Sequence, residues 1–211
     1  MSINFIKKTL LHNKQIFSKI IAFSLIIVLL ALAITSLKVK SFTIDEGNYL
    51  HNGEILVKDF NWDHFVVRFH PPLTFYYHGL LTLFNLPGSG GDKLLCARLM
   101  MTPILAFFAL LVFLTANKHY GLKAGLLALT LFCFDPNILA HGRLITTDLT
   151  LALFIFLFLI LFYNLLISKR QYILKSALTG IVLGLALLTK YNGLMLFPLS
   201  FFLFSCYMGL K

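Results

Sequence analysis

"LTFYYHGLLTLFNL", Leu73 to Leu86, decides how this chain threads a membrane. The run is apolar, rich in Tyr and Phe, and carries His78. Its 14 residues fall short of the about 20 that a helix needs to cross the hydrocarbon core. Length and composition suit a helix lying in the interface. Charge placement tests that reading. If 73–86 crossed, every later segment would invert, and Lys118 and the Lys169-Arg170-Lys175 cluster would lie outside, against the positive-inside rule. If it does not cross, six runs remain, at about 16–36, 99–116, 121–139, 149–167, 173–189 and 193–209. With the N-terminus cytoplasmic, the inner segments then hold or adjoin Lys7, Lys8, Lys14, Lys19, Lys118, Lys123, Lys169, Arg170, Lys175 and Lys211, with no acid among them. The other side receives all eight acids.

The bulk composition agrees. Hydrophobic residues make up 59% of the chain and charged ones 12%, about half the charge usual in a soluble domain. The formal charge of +10 sits in short clusters between apolar runs, which excludes a nucleic-acid-binding face. Cys96, Cys133 and Cys206 are isolated and form no disulfide framework. The basic N-terminus followed by Ala31-Leu32-Ala33 imitates a signal peptide, but its apolar run reaches span length. The expectation is an all-α polytopic membrane protein with about six transmembrane helices and interfacial helices in a large first outer loop, about 37–97. The chain reads as a single transmembrane module over 1–211. Its end at Lys211, right after an apolar helix, reads as truncation of a longer protein.

On this topology the ionisable residues gather on the outer side. Asp45 and Glu46 follow the first span. His70-Pro71-Pro72 opens the interfacial segment, and Arg98 stands where the second span begins. "FDPNILAHGRLITTDLTL" carries Asp135, His141, Arg143 and Asp148 between spans three and four, and "LTKYNG" carries Lys190 between spans five and six. Ionisable groups in or beside the membrane are costly and count as functional candidates. Each also has a plain structural reading. Adjacent acids suit a solvated loop, and Pro suits a first helical turn. Asp148 suits a helix N-terminus, and Lys190 can snorkel from a helix end.

The order of these elements, more than any one of them, resembles the polyprenol-phosphate-dependent glycosyltransferases of the C-type membrane fold, among them protein O-mannosyltransferases and bacterial lipid A aminoarabinose transferases. Asp45-Glu46, "HPPL" (70–73), "ARL" (97–99), "GRLITTD" (142–148) and "GLALLTKYNGL" (184–194) carry the resemblance, which covers about 41–198. It implies an enzyme that moves a sugar from a polyprenyl-phosphate donor to a lipid, glycan or protein acceptor at the outer face of the membrane. A phosphate leaving group departs as a stable anion, so one carboxylate base suffices. The resemblance implies Asp45 as that base and Glu46 as a holder of acceptor or sugar groups, although adjacency alone ranks neither above the other. It gives Arg98 and Lys190 to the phosphate, with Arg143 a weaker candidate. Asp148 would orient a cation, contact the acceptor or help bind a divalent ion. His70 is either a substrate ligand or structural.

No HExxH or Cys/His cluster marks a resident metal, and a divalent cation stays open as a cofactor. Family members are much longer than this chain, which leaves an inactive remnant or scaffold as one rival reading and a transporter segment as another. The Lys-, Phe- and Ile-rich composition hints at a bacterial inner (plasma) membrane. Sugar, acceptor and polyprenol are not identified by the sequence.

Overall fold

The computed structural model describes residues 3–37, 39–59, 70–84, 90–167 and 170–210, with side chains from residue 16 onward except at 82, 84, 90 and 91. The tail of the 73–86 run, much of the expected outer loop (60–69 and 85–89) and Lys169 lie outside the described residues. Among the described residues the chain is helical, without strands. In chain order the helices are α1 (Ile3–Thr35), α2 (Ile44–Asp59), α3 (Leu73–Gly79), α4 (Gly90–Tyr120), α5 (Leu122–Phe134), α6 (Pro136–His141), α7 (Thr147–Ile167), α8 (Tyr172–Thr189) and α9 (Leu196–Gly209). Short 3₁₀ turns follow α3 (Leu80–Phe84) and α8 (Tyr191–Met195).

Among the described residues, five stretches are long and apolar enough to cross a membrane: Ile16–Thr35, Asp92–Tyr120, Thr147–Ile167, Tyr172–Thr189 and Tyr191–Gly209. Their outward faces are apolar, with Ile173 84% and Phe201 74% exposed, as lipid contact requires. The expected run 121–139 forms something shorter, a 13-residue apolar helix, α5, followed by α6. Asp135 makes the break. Its carboxylate accepts from the amides of Asn137 and Ile138 at 2.8 and 2.9 Å, and Pro136 takes the first turn of α6, where no amide proton is needed. At Leu73 the expected short helix forms and tightens into a 3₁₀ turn at Leu80.

The chain packs as two compact units, residues 1–40 with 101–143 and residues 41–100 with 144–211. In the first, α1 packs along α5, and the Cys133 thiol points at the Leu25 carbonyl. In the second, α7 and α8 form an antiparallel pair around Leu151, Phe158, Val182 and Ala186, closed by Leu196 of α9. The second unit also holds α2 against α3, with Tyr49, Leu56 and Phe75 packed on Ala97 and Ile145.

The α2–α3 crossing has no room for side chains. A Cβ on Gly53 would run into the Phe75 carbonyl and come within 2.9 Å of the Gly79 amide, and one on Gly79 would strike the Gly53 backbone. Glycine is needed here for close approach of two backbones. Beside the crossing, His78 is 1% exposed, and among the described residues neither ring nitrogen has a hydrogen-bond partner. Burial pushes its pKa down to about 4, although the nearby Glu46 charge opposes the shift.

Two outcomes follow from this crossing. Gly53→Ala should destabilise the second unit by more than the roughly 1–3 kcal/mol of ordinary overpacking, because rigid backbone must move. Thermal unfolding in detergent reads this, against Gly184→Ala, whose added Cβ meets open space, as the control. Acid should also weaken the protein through His78. Between a free histidine's 6.5 and about 4, the unfolded chain binds a proton that the folded chain refuses. The stability is therefore complete above about pH 6.5 and is lost as pH falls toward 4, by up to about 3 kcal/mol. The fall in Tm over that window should shrink in His78→Leu.

Candidate functional site

Thr43-Ile44-Asp45-Glu46 opens α2 as a capping box. The Glu46 amide donates to the Thr43 hydroxyl at 3.4 Å, and the Thr43 amide donates back to Glu46 Oε2 at 3.1 Å. The Thr43 hydroxyl donates to the same carboxylate oxygen at 3.0 Å. This box fixes the first turn and turns Glu46 inward, while its neighbour Asp45 stays exposed.

Glu46 is 0% exposed and Arg98 of α4 is 2% exposed. Arg98 grips the carboxylate with both arms of its fork, Nε to Oε1 and NH2 to Oε2, each at 2.7 Å. The same NH2 donates to the Ser41 carbonyl at 3.0 Å. Glu46 Oε1 also accepts from the Ile145 amide at 3.4 Å. Burial alone would raise the Glu46 pKa. Arg98 and the Thr43 donors outweigh burial and hold the carboxyl below its ordinary value. One carboxylate thus ties together the start of α2, the first third of α4 and the segment that leads into α7.

Above this pair lies a cleft of about 170 Å³, lined by Asp45, Asn48, Tyr49, His70, Phe75, Thr146, Thr147, Asp148 and Lys190. All belong to the second unit. Asp148 sits in the first turn of α7, where the helix dipole favours an anion. Lys190 is the extended residue that ends α8 and starts the following 3₁₀ turn, and its ammonium donates to Asp148 Oδ1 at 2.6 Å. That pair is open to solvent, with side-chain exposures of 31% for Lys190 and 56% for Asp148. The Tyr49 hydroxyl bonds with the Thr147 side chain. Burial chiefly, and the Asp45 and Asp148 charges besides, keep the phenol protonated above its usual range. Tyr49 and Phe75 rings lie 5.0 Å apart and His70 meets Phe75 edge-on, which makes one wall aromatic. The Thr146 hydroxyl, also in the lining, is buried and has no hydrogen-bond partner among the described residues.

The structure therefore brings together four of the seven expected residues, Asp45, His70, Asp148 and Lys190, around one cleft. It puts Glu46 and Arg98 in the buried pair, outside the lining. Arg143 falls in the first unit, in the turn after α6, half-buried with Nε unpartnered. Asn48 and Tyr49 were not singled out from the sequence, and Thr146 and Thr147 entered that reading only within the 142–148 motif. The capping-box signature at Thr43–Glu46 was available to show which acid turns inward. Among the described residues no three His, Cys, Asp or Glu side chains converge as metal ligands. The groups in the lining that can coordinate a cation are Asp45, Asp148 and His70. Chemically, the cleft offers an exposed carboxylate, an ammonium whose single carboxylate partner is displaceable, and neutral hydroxyls beside an aromatic wall.

The model of the dolichyl-phosphate-mannose-protein mannosyltransferase family matches residues 69–208, more than half of the chain. The chain belongs to this family, which is one of membrane glycosyltransferases of the mannosyltransferase kind. His70, Arg98, Arg143, Asp148 and Lys190 lie inside the match, and Asp45 and Glu46 precede it. No curated protein and no solved structure matches the chain.

Removing one partner of the buried pair strands a charge in the core. Glu46→Ala and Arg98→Ala should each destabilise the protein by about 3–5 kcal/mol. Lys190→Ala, which opens only a solvent-exposed pair, should cost about 1 kcal/mol or less. Thermal unfolding of the three variants in one detergent gives the ranking, and equal losses would contradict the packing described.

Proposed function

We propose that the cleft is the active site of a glycosyltransferase that takes a sugar from a polyprenyl-phosphate donor and passes it to an acceptor hydroxyl or phosphate at the outer face of the membrane. The reading is carried by one observation. A carboxylate and an ammonium share a small polar cleft built at the ends of apolar, span-length helices. A donor with a polyprenyl tail in lipid and a phosphate at the surface needs this placement.

Asp45 is the base. It accepts the proton from the acceptor O–H as that oxygen attacks the anomeric carbon. The bond from that carbon to the phosphate oxygen breaks on the opposite face, and the polyprenyl phosphate leaves with the electron pair. One displacement of this kind inverts the anomeric configuration. Negative charge grows on the leaving phosphate, and Lys190 meets it, exchanging part of its contact with Asp148 for the phosphate oxygens. Asp148 holds the ammonium in place between turnovers. The aromatic wall of Tyr49, Phe75 and His70 suits the apolar face of a pyranose, and the Thr146 hydroxyl is free to bond a sugar hydroxyl. Arg98 and Glu46 act through position, by keeping Asp45 at the cleft. The cluster of lysines before the first span supports a cytoplasmic N-terminus, which sets the cleft on the outer side.

The test is sugar transfer from a polyprenyl-phosphate sugar in sealed membrane vesicles. Asp45→Asn should lose about 10²–10⁴-fold in rate with little change in Tm, the usual worth of a general base. Lys190→Ala should lose rate and weaken donor binding together. Activity should require donor and acceptor on the face opposite the N-terminus. Full transfer by Asp45→Asn would remove Asp45 as the base, and transfer only from the N-terminal face would reverse the orientation.

A further inference from the structure

The first unit holds a groove of about 750 Å³, and none of its residues lines the cleft. Ala22, Phe23 and Ile26 of α1 form one wall and Phe113 and Leu114 of α4 the other. Lys19 and Asn117 also line it, with Leu122 of α5. The start of α5 is pressed on Asn117, since a Cβ on Gly125 would come within 2.8 Å of the Asn117 Cβ. The tight link at Gly121, with φ 84°, allows that return. Lys118 and Lys123, which flank this junction in sequence, are exposed, as is Lys19. The single acid in the sequence of this unit, Asp135, is at the opposite end of α5 and is occupied capping α6. The groove thus has apolar walls with Lys19 in its lining, and the exposed Lys118 and Lys123 are the sequence neighbours of the lining residues Asn117 and Leu122; among the described residues no carboxylate lines it.

That combination selects a ligand by chemistry. The walls run along α1 from Lys19 to Ile26, about 10 Å of helix, the depth of the upper half of an acyl chain. Apolar walls offer nothing to a soluble anion, and the lysines offer nothing special to a zwitterionic lipid. A basic pocket between membrane helices fits an anionic headgroup with its chain beside it. We propose that this groove is a binding site for an anionic diacyl phospholipid, with its phosphate among Lys19, Lys118 and Lys123 and one acyl chain lying between α1 and α4. The site is separate from the transfer reaction, and its test needs no substrate.

The full chain is purified from mixed micelles of phosphatidylglycerol and phosphatidylcholine, and bound lipid is counted by native mass spectrometry. Wild type should enrich phosphatidylglycerol on the order of 100-fold, taking roughly fivefold for each lysine near the headgroup. The triple variant Lys19→Gln, Lys118→Gln, Lys123→Gln should bring the ratio near parity. Ala22→Phe, which fills the groove and leaves the charges, should lower retention of both lipids. Because the three lysines are exposed, the triple variant keeps the test decisive even if Ala22→Phe fails to fold. Parity in wild type, or unchanged enrichment in the triple variant, overturns the proposal. So does displacement of the lipid by glycerol phosphate at equal concentration, which would mean an anion site without a tail. Cross-linking of a second copy of the chain through the groove in the same micelles would likewise overturn it.

Discussion

The second unit depends on the Glu46 carboxylate being buried and fully engaged. Taking a carboxylate and a guanidinium out of water costs several kcal/mol each, and only near-ideal geometry with every lone pair used recovers that. Here the geometry is of that quality, two parallel bonds at 2.7 Å with three further donors on the same two oxygens. The partners come from residues far apart in the chain, so the carboxylate works as a three-way joint among α2, α4 and the lead into α7. Net stabilisation from such a joint is small, but the cost of disturbing it is large. It therefore specifies one arrangement of these segments over others that would bury similar apolar area.

That joint decides what the neighbouring residue can do. Successive residues on a helix point about 100° apart, so an inward Glu46 leaves Asp45 facing out. The outward side at this turn is the cleft, and Thr147, Asp148 and Lys190 meet it there. The position of Asp45 in the cleft, on which its proposed role rests, thus derives from a neighbour that touches no solvent. The Gly53–Gly79 approach serves the same end, because it lets α3 lie close enough for Phe75 to reach Tyr49 and close the aromatic wall.

Much of this was legible in the residues, for identifiable reasons. Long apolar runs have one solution in lipid, so four span-length helices fall within a few residues of their expected bounds, and α4 reaches back to Gly90. Leu73–Leu86 reads as too short to cross, and a short helix forms at its start because length is a hard constraint there. The run 121–139 misled because a hydropathy window passes over Asp135-Pro136. A capping carboxylate and a proline make a new helix start whatever the surrounding apolarity. At the candidate site, order along the chain pointed to seven residues, four of which share the cleft, but not to their layering. Asp45 and Glu46 are alike in composition and differ in the capping box. Arg98 and Lys190 are both cations at helix positions near the surface, and what separates them is burial, a property of the assembled fold. Tyr49 and Thr146 carried no signal, since aromatic and hydroxyl residues are common on such helices.

For the proposed reaction, magnitudes then separate the two cations as candidate phosphate ligands. Freeing Arg98 for a substrate would strand Glu46 at 0% exposure, a cost on the order of 3–5 kcal/mol that a phosphate outside the lining cannot offset. Freeing Lys190 from Asp148 costs about 1 kcal/mol or less, because water can take over both partners. In the proposed reaction an incoming phosphate would carry more charge than the carboxylate it competes with, so the exchange at Lys190 would run downhill with donor present and reverse when it leaves. A strong pair and a weak pair, one behind the cleft and one in it, are what a surface transferase needs: a frame that does not yield and a cation that can be borrowed.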